Sequence, residues 1–204
     1  MPLTEYRRNR NFTKTPEPVG RVQRSGRRRI FVVQKHDASR LHYDFRLAVD
    51  WVLASWAVPK GPSMNPADKR LAVRTEDHPL EYAKFEGVIP AGQYGAGTVM
   101  VWDLGIYKPL EERPPEEQLA RGKIDIVLLG EKLRGAFTLV QIERRSMSSN
   151  RRDHWLLIKH RDAHADQSWD IESPWLGRSV LTGRGLKEIK DGKLTKAGFG
   201  RRGA

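Results

Sequence analysis

Two histidines and an aspartate stand close together in the segment His36–Arg46, which reads HDASRLHYDFR. Alternate side chains of a β-strand share a face, so His42, Asp44 and Arg46 would line one face of a strand. Two imidazoles and a carboxylate suit a divalent transition metal such as Mn²⁺, Zn²⁺ or Fe²⁺. Arg46 beside them could hold a phosphate oxygen through two hydrogen bonds. The pattern predicts a metal site with His36, His42 and Asp44 as ligands.

Two neighbouring strands must position these groups. The segment Arg29–His36 precedes the histidine–aspartate strand, and a turn around residues 37–39 would return His36 beside His42, with Gln34 on the same face. The intervening residues of the second strand are apolar or aromatic and are predicted to face the core: Leu41, Tyr43, Phe45, Leu47 and Val49. The competing interpretation is the solvated polar face of an amphipathic strand.

A second polar cluster follows at Arg74–Tyr82, where His78 precedes a proline and is flanked by acidic residues. A His-Pro pair favours an extended loop backbone. Glycines at 92, 95 and 97 then permit tight turns into a strand. No lysine followed by serine or threonine comes after them, which argues against a glycine-rich phosphate-binding loop. The remaining histidines are predicted to lie at the surface: His154, His160 and His164.

Short β-branched and aromatic segments separated by Gly, Pro and Asp run through the rest of the chain, which is typical of a mainly β fold. Besides the two strands above, strands are predicted at Val52–Val58, Leu71–Thr75, Thr98–Asp103, Ile124–Leu129, Gly135–Ile142 and Trp155–His160. Short helices are predicted at Pro115–Arg121 and Leu186–Asp191. The spacing indicates a closed or nearly closed antiparallel β-barrel, or a sandwich, with few short flanking helices.

Composition limits the classes of function. The 204 residues carry a formal net charge of +12 and a pI near 10.2, which favours a polyanionic partner, nucleic acid above all. Cysteine is absent, so disulfides, zinc fingers and a cysteine nucleophile are excluded. No long apolar run and no secretory h-region occur, so a cytoplasmic protein without a membrane partner is expected.

Charge is distributed unevenly. Residues 1–30 hold nine basic and two acidic side chains, a net charge of +7, together with three prolines and little apolar content. We expect residues 1–20 to form a basic extended arm that contributes to the site, and residues 21–182 to form the barrel domain. The stretch 183–204 is basic and rich in glycine, and is expected to be a flexible tail.

Long segments of the chain resemble one known family. FVVQKHDASRLHYDFRL, WAVPKGPS, RLAVRTEDHPLEYAKFEGVIPAGQYGAGTVMVWD and WLLIKHRD are similar to the 3′-phosphoesterase module of bacterial DNA ligase D, across roughly residues 6–182. The resemblance implies a β-barrel with an active-site groove on its outer surface. It also implies an Mn²⁺-preferring enzyme that removes a 3′-terminal ribonucleoside from a primer strand, then hydrolyses the 3′-phosphate to a 3′-hydroxyl.

The resemblance extends to individual residues. It implies metal ligation by His36, His42 and Asp44, with Arg46 and His78 on the scissile phosphate. It assigns further active-site roles to polar and basic residues, of which the two basic ones serve chiefly the monoesterase step: Tyr82, Gln34, Glu76, Lys60 and Arg70. In the arm, RNRNFTKTPEP matches the family at Arg10 and Glu17, whereas Asn11 stands where the family often has aspartate.

Several functional points stay open at this stage. The general acid is unassigned, and His78 is the best candidate because an imidazole suits proton transfer near neutral pH. A non-catalytic DNA-end-binding scaffold with a degenerate site is the alternative that the Asn11 change allows. A non-haem iron oxygenase also uses two histidines and a carboxylate. A ligase, a polymerase or end-binding repair proteins are the partners expected at DNA 3′ ends.

Overall fold

A closed antiparallel sheet forms the centre of the structure, a computed structural model that describes residues 3–20, 29–142 and 154–193. Its strands within these ranges are β1 (Ile30–Asp37), β2 (Leu41–Val49), β3 (Val52–Val58), β4 (Lys69–Arg74), β5 (His78–Pro79), β6 (Gly87–Ile89), β7 (Gly97–Pro109), β8 (Lys123–Leu129), β9 (Arg134–Gln141) and β10 (His154–Lys159). Eight of them close the barrel in the order β1-β2-β3-β4-β10-β9-β8-β7, because β7 pairs back onto β1. The mainly β barrel predicted from the sequence is confirmed.

Strand β7 is about twice as long as predicted, and a β-bulge explains how it fits. Its register against β1 shifts so that Val33 opposes Asp103 while Gln34 opposes Val101, which leaves Trp102 without a partner. A bulge bends a strand and increases its twist. The first part of β7 can therefore lie between β6 and β1, and its last part pairs with β8. The indole of Trp102 is fully buried in the barrel core.

Apolar residues cover both sides of the sheet. The inner cluster holds Tyr43, Phe45 and Leu47, as alternation along β2 predicted, whereas Leu41 at the start of the strand is 41% exposed. A second cluster lies on the outer side and includes Val32 of β1, in register with Arg46. The polar face of β2 is therefore an outer face of the barrel, as predicted, but it is covered by other residues rather than solvated.

The N-terminal segment provides much of that cover. A helix, α1, spans Thr4–Arg8, so the prediction of an extended arm is wrong at these residues. Tyr6 is fully buried and donates a hydrogen bond of 2.6 Å to the Pro18 carbonyl, and Arg7 donates one of 2.8 Å to the Gly20 carbonyl. The helix has only five residues, too few for a periodic apolar pattern to reveal it.

The other helices are short. The predicted helices are found as α2 (Pro115–Ala120) and α3 (Leu186–Lys190), and single 3₁₀ segments span Leu80–Lys84 and Pro174–Leu176. Ile189 of α3 is buried against the barrel core, so part of the segment from residue 183 onwards is packed against the barrel, while the flexibility of the tail stays a prediction. The rest of the tail, and residues 21–28, lie outside the described residues. No helix in the described ranges is long and apolar enough to cross a membrane.

We predict that Tyr6→Ala lowers the free energy of unfolding by about 3 kcal/mol, the typical cost of removing a buried aromatic side chain. Amide hydrogen exchange should show loss of protection within residues 3–20, because the segment loses its buried anchor. Denaturant unfolding measures the first effect. Arg8→Ala, which removes an exposed side chain of the same helix, is the control. Equal unfolding midpoints for the two variants would show that the segment contributes nothing to stability.

Candidate metal centre

The register between β1 and β2 places the polar side chains in a ladder. His36 lies directly opposite His42, and Gln34 lies directly opposite Asp44. Direct partners in an antiparallel pair share a face and lie within contact distance. The predicted return of His36 beside His42 is therefore a consequence of the tight turn between the two strands. The ring centroids of the two histidines are 4.8 Å apart.

Three ligand atoms converge at the end of this ladder. One atom each from His36, His42 and Asp44 lie within 4.8 Å of one another. The Nδ1 atom of His36 is 3.5 Å from Oδ2 of Asp44, and the Nε2 atom of His42 is 3.8 Å from Oδ1. These separations leave room for an ion between the atoms at ordinary metal–ligand distances of about 2.0–2.2 Å.

The opposite ring nitrogens are held by backbone carbonyls. The Nε2 atom of His36 is 3.0 Å from the Gly95 oxygen, and the Nδ1 atom of His42 is 2.9 Å from the Arg40 oxygen. A carbonyl only accepts hydrogen bonds, so each of these nitrogens carries the proton. In the neutral form of each ring, the nitrogen that faces Asp44 then keeps its lone pair. Histidine ligands in metal sites are oriented in this way, so the residues fit a divalent metal.

Arg46 occupies the next position of the same face with all of its guanidinium nitrogens engaged. Its Nε donates to Oε1 of Gln34 at 2.8 Å, its Nη1 lies 2.9 Å from Nδ1 of His78, and its Nη2 lies 3.1 Å from Oδ2 of Asp44. Gln34 is itself fixed, because its amide donates to the carbonyls of Tyr82 and Phe85. The guanidinium is thereby oriented from three sides beside the candidate metal ligands.

Asp44 is buried, and burial alone would raise its pKa. The positive charge of Arg46 outweighs that effect, with further contributions from His36 and His42, so the pKa of Asp44 lies well below its usual range. The carboxylate is ionised at neutral pH. Because its pKa is lowered by folding, it contributes stability above the unfolded value of about 3.9, and this contribution is lost as pH falls below that value.

His78 reaches this face through β5, which adds two residues to the edge of β3 and pairs His78 with Leu53. Burial lowers the pKa of His78 well below its usual value, and the charges of Arg46 and Arg10 lower it further. The ring is therefore neutral near pH 7. Its Nδ1 atom is 2.9 Å from the Glu76 carbonyl, and its Nε2 atom is 3.3 Å from Nη2 of Arg10.

The N-terminal segment completes the wall around His78. Arg10 forms an ion pair of 2.8 Å with Glu17 and a second, shorter one with Glu76, and its guanidinium lies 3.8 Å from the centre of the Tyr6 ring. Tyr82 donates to Glu17 at 3.0 Å. The structure thus brings together ten of the thirteen residues singled out from the sequence: Arg10, Glu17, Gln34, His36, His42, Asp44, Arg46, Glu76, His78 and Tyr82.

Three of the predicted site residues form no hydrogen bond or ion pair with this cluster in the described part of the chain. Asn11 is exposed, and its side-chain oxygen accepts hydrogen bonds from the backbone and hydroxyl of Thr13. Lys60 is exposed after β3, and Arg70 pairs with Asp68 at 2.8 Å. Within the described residues no hydrogen bond or ion pair joins these three to the metal ligands. Their functional roles stay predictions.

Other members of the site were not identified from the sequence. The carbonyls of Gly95 and Arg40 orient the two histidines, and no residue type reveals a backbone acceptor. Ser55 lies opposite Arg46 across β2 and β3, with its hydroxyl 3.4 Å from Nδ1 of His78. Tyr6 packs edge-on against the same ring at 5.2 Å. Only the alternation of β3 could have pointed to Ser55.

Fold and site together define a class: a β-barrel protein with a candidate two-histidine, one-aspartate metal centre beside a buried arginine on its outer face. Comparison with known proteins agrees with this class. Residues 34–141 match the family described as the DNA Ligase D 3'-phosphoesterase domain. A relative is also 53% identical over 80% of this chain. The chain therefore belongs to this family.

Two relatives named multifunctional non-homologous end joining protein LigD illustrate the similarity. The protein of Pseudomonas aeruginosa is 53% identical over 166 residues, which are 80% of this chain and 19% of that protein. The protein of Mycolicibacterium smegmatis is 46% identical over 196 residues, covering 88% of this chain and 26% of that protein. The chain therefore spans only a minor part of the length of the relatives it matches.

We predict that Asp44→Asn weakens Mn²⁺ binding at least about 100-fold, because the amide lacks the charge of the ligand. Titration calorimetry, or the electron paramagnetic resonance of free Mn²⁺, measures the affinity. Asp50→Asn is the matched control, since Asp50 is exposed in the turn between β2 and β3, where its φ of 52° is one that asparagine also adopts. Equal affinities of the two variants would exclude Asp44 as a ligand.

Proposed function

We propose that this chain is a divalent-metal-dependent phosphoesterase that removes 3′-terminal ribonucleosides and 3′-phosphates from DNA ends and leaves a 3′-hydroxyl. The observation that carries this proposal is the convergence of His36, His42 and Asp44, with ligand atoms within 4.8 Å, directly beside Arg46. A metal centre next to a fixed guanidinium suits a phosphate ester, because both bind phosphate oxygens. Membership of the 3′-phosphoesterase family supports the same reaction.

His36, His42 and Asp44 would hold the ion, which when bound supplies Lewis-acid polarisation of a non-bridging phosphate oxygen. Mn²⁺ is the ion we propose, as the family resemblance implies, although the donor set also suits Zn²⁺. Arg46 would add hydrogen bonds and positive charge to the equatorial oxygens as negative charge develops on the phosphate. A donor that is oriented before the reaction stabilises such charge more than one that must reorganise.

His78 would act beside Arg46 as a hydrogen-bonding group. Since burial and two arginines keep its pKa low, the neutral ring has a single N–H and does not carry an extra proton in the free protein. This favours a positioning role for His78 over the general-acid role considered from the sequence. Burial also raises the pKa of Tyr82 well above its usual value, so its hydroxyl keeps its proton.

DNA is the substrate class that charge and kinship support. The chain has a formal net charge of +12, and its relatives are named as non-homologous end joining proteins. Primer–template 3′ ends are the substrate we propose. A polymerase or a ligase that needs a 3′-hydroxyl would then use the product, with end-binding repair proteins as further partners. The reaction would take place on DNA in the cytoplasm.

The competing function is a non-catalytic scaffold that binds DNA ends through a degenerate site. Its main support was Asn11, which replaces an acidic residue of the family pattern. Asn11 is exposed in a turn, however, and its side chain bonds only Thr13 in the described part of the chain. The substitution leaves the metal ligands and Arg46 untouched, which favours the catalytic function over the scaffold.

We predict that the protein removes the 3′-phosphate from a primer–template duplex when Mn²⁺ is present and not when it is chelated. His42→Ala should lower the rate at least about 100-fold, because a metal ligand is lost. His164→Ala removes an exposed histidine and is the control. Full activity of His42→Ala would refute the metal assignment, and an inactive wild-type protein that still binds DNA would support the scaffold.

We predict that Arg46→Lys lowers kcat/KM for the same substrate about 100-fold or more, the usual cost of losing a fixed donor to transition-state charge. A lysine keeps the positive charge but cannot contact Gln34, His78 and Asp44 at once. Arg134→Lys on β9 is the control, since Arg134 is exposed and bonds only a carbonyl in the described residues. Full activity of Arg46→Lys would show that charge alone suffices there.

A further inference from the structure

An exposed tyrosine stands at the edge of the candidate metal centre. Tyr94 is 56% exposed, although tyrosine commonly buries much of its ring. Its ring centre lies 5.5 Å from the guanidinium carbon of Arg10, which itself bonds His78 and Glu76. None of the contacts described so far uses the open face of this ring. A large aromatic surface is thus left available beside the buried polar cluster.

The loop between β6 and β7 holds Tyr94 in a defined place. The Ala96 amide donates to the Gln93 carbonyl at 3.1 Å, and Gly95 has a φ of 73°. These are the features of a type II turn, in which the third position requires a positive φ and therefore favours glycine. Tyr94 occupies the second position of that turn. The ring is presented by a tight turn rather than by a long loop.

The same turn is tied to a metal ligand. The carbonyl of Gly95, the residue after Tyr94, accepts the hydrogen bond from Nε2 of His36 at 3.0 Å. Burial raises the pKa of the Tyr94 hydroxyl, and the charge of the Glu76 carboxylate raises it further. The exposed ring thus stands 5.5 Å from the Arg10 guanidinium carbon and within one residue of a group that orients a candidate ligand.

From this placement we propose that Tyr94 forms a stacking subsite for the terminal nucleoside of the 3′ end. This inference rests on the proposed function, in which the scissile phosphate meets both the metal centre and Arg46. A nucleoside attached to that phosphate would occupy space at the rim of the cluster, where the exposed Tyr94 ring lies 5.5 Å from the Arg10 guanidinium carbon. Every base has a π-face, so stacking on a tyrosine tolerates any terminal base.

The subsite has a consequence for substrate choice. A 3′-ribonucleoside end carries a base and a sugar that can use the Tyr94 ring, whereas a 3′-phosphate end carries neither beyond the phosphate. Stacking of a base on an aromatic side chain changes affinity by roughly 5- to 150-fold. Tyr94 should therefore matter more for removal of the nucleoside than for removal of the phosphate.

The test compares Tyr94→Ala, Tyr94→Phe and wild type on two primer–template duplexes that differ only at the 3′ end, a ribonucleoside or a phosphate. We expect Tyr94→Ala to lower kcat/KM on the ribonucleoside end about 10-fold more than on the phosphate end. Tyr94→Phe should recover most of that loss, because it keeps the ring. Leu110→Ala, which removes an exposed apolar side chain after β7, is the control for both substrates.

Three outcomes would overturn the subsite: an equal loss on both ends, no loss on either, or a loss in Tyr94→Phe as large as in Tyr94→Ala. An equal loss on both ends would mean that Tyr94 supports His36 through Gly95. An equally large loss in Tyr94→Phe would mean that the hydroxyl of Tyr94, and not its ring, contributes to activity. If the wild-type protein hydrolyses neither end, the proposed function fails. Stacking can then still be tested by measuring the affinity for both duplexes by fluorescence anisotropy. A terminal nucleoside should strengthen duplex binding by the wild-type protein more than by Tyr94→Ala.

Discussion

The ion pair between Asp44 and Arg46 is the interaction on which the rest of the site depends. Their charged atoms are 3.1 Å apart, and both side chains are almost completely buried. Removing two charges from water is costly, and their attraction compensates only when the remaining hydrogen-bonding groups are also satisfied. Gln34 accepts a hydrogen bond from the guanidinium and His78 lies against it, while His36 and His42 lie against the carboxylate. The pair therefore fixes the layout of its neighbours.

A buried pair on the outer side of a barrel needs a cover that the sheet cannot provide. The N-terminal segment supplies part of it, with Tyr6 packed against His78 and Arg10 bound to both Glu17 and Glu76. The 3₁₀ segment that follows β5 supplies another part through Tyr82. The apolar residues of the outer cluster surround these groups. The barrel thus has cores on both sides of the strands that carry the site.

Much of the site could be predicted because it follows from alternation in two adjacent strands. The spacing of His42, Asp44 and Arg46 fixes their shared face, and a short turn brings His36 opposite His42. Contacts between distant segments could not be read in this way. Arg10 meets Glu76 across 66 positions of the chain, and nothing in the order of residues records that proximity. The helix α1 and the bulge at Trp102 were not predicted for a related reason, because packing rather than local propensity determines them.

The two histidines differ in how deeply they lie, and this asymmetry defines a direction of approach. His36 is enclosed between β1 and the turn that bears Gly95, while the side chain of His42 is 23% exposed and is held by a carbonyl in the turn between β1 and β2. An incoming cation would meet the His42 ring first and lose contact with it last. The outer imidazole would then take part in the first and last steps of ion exchange, while the bonds to the deeper donors would still determine how long the ion stays.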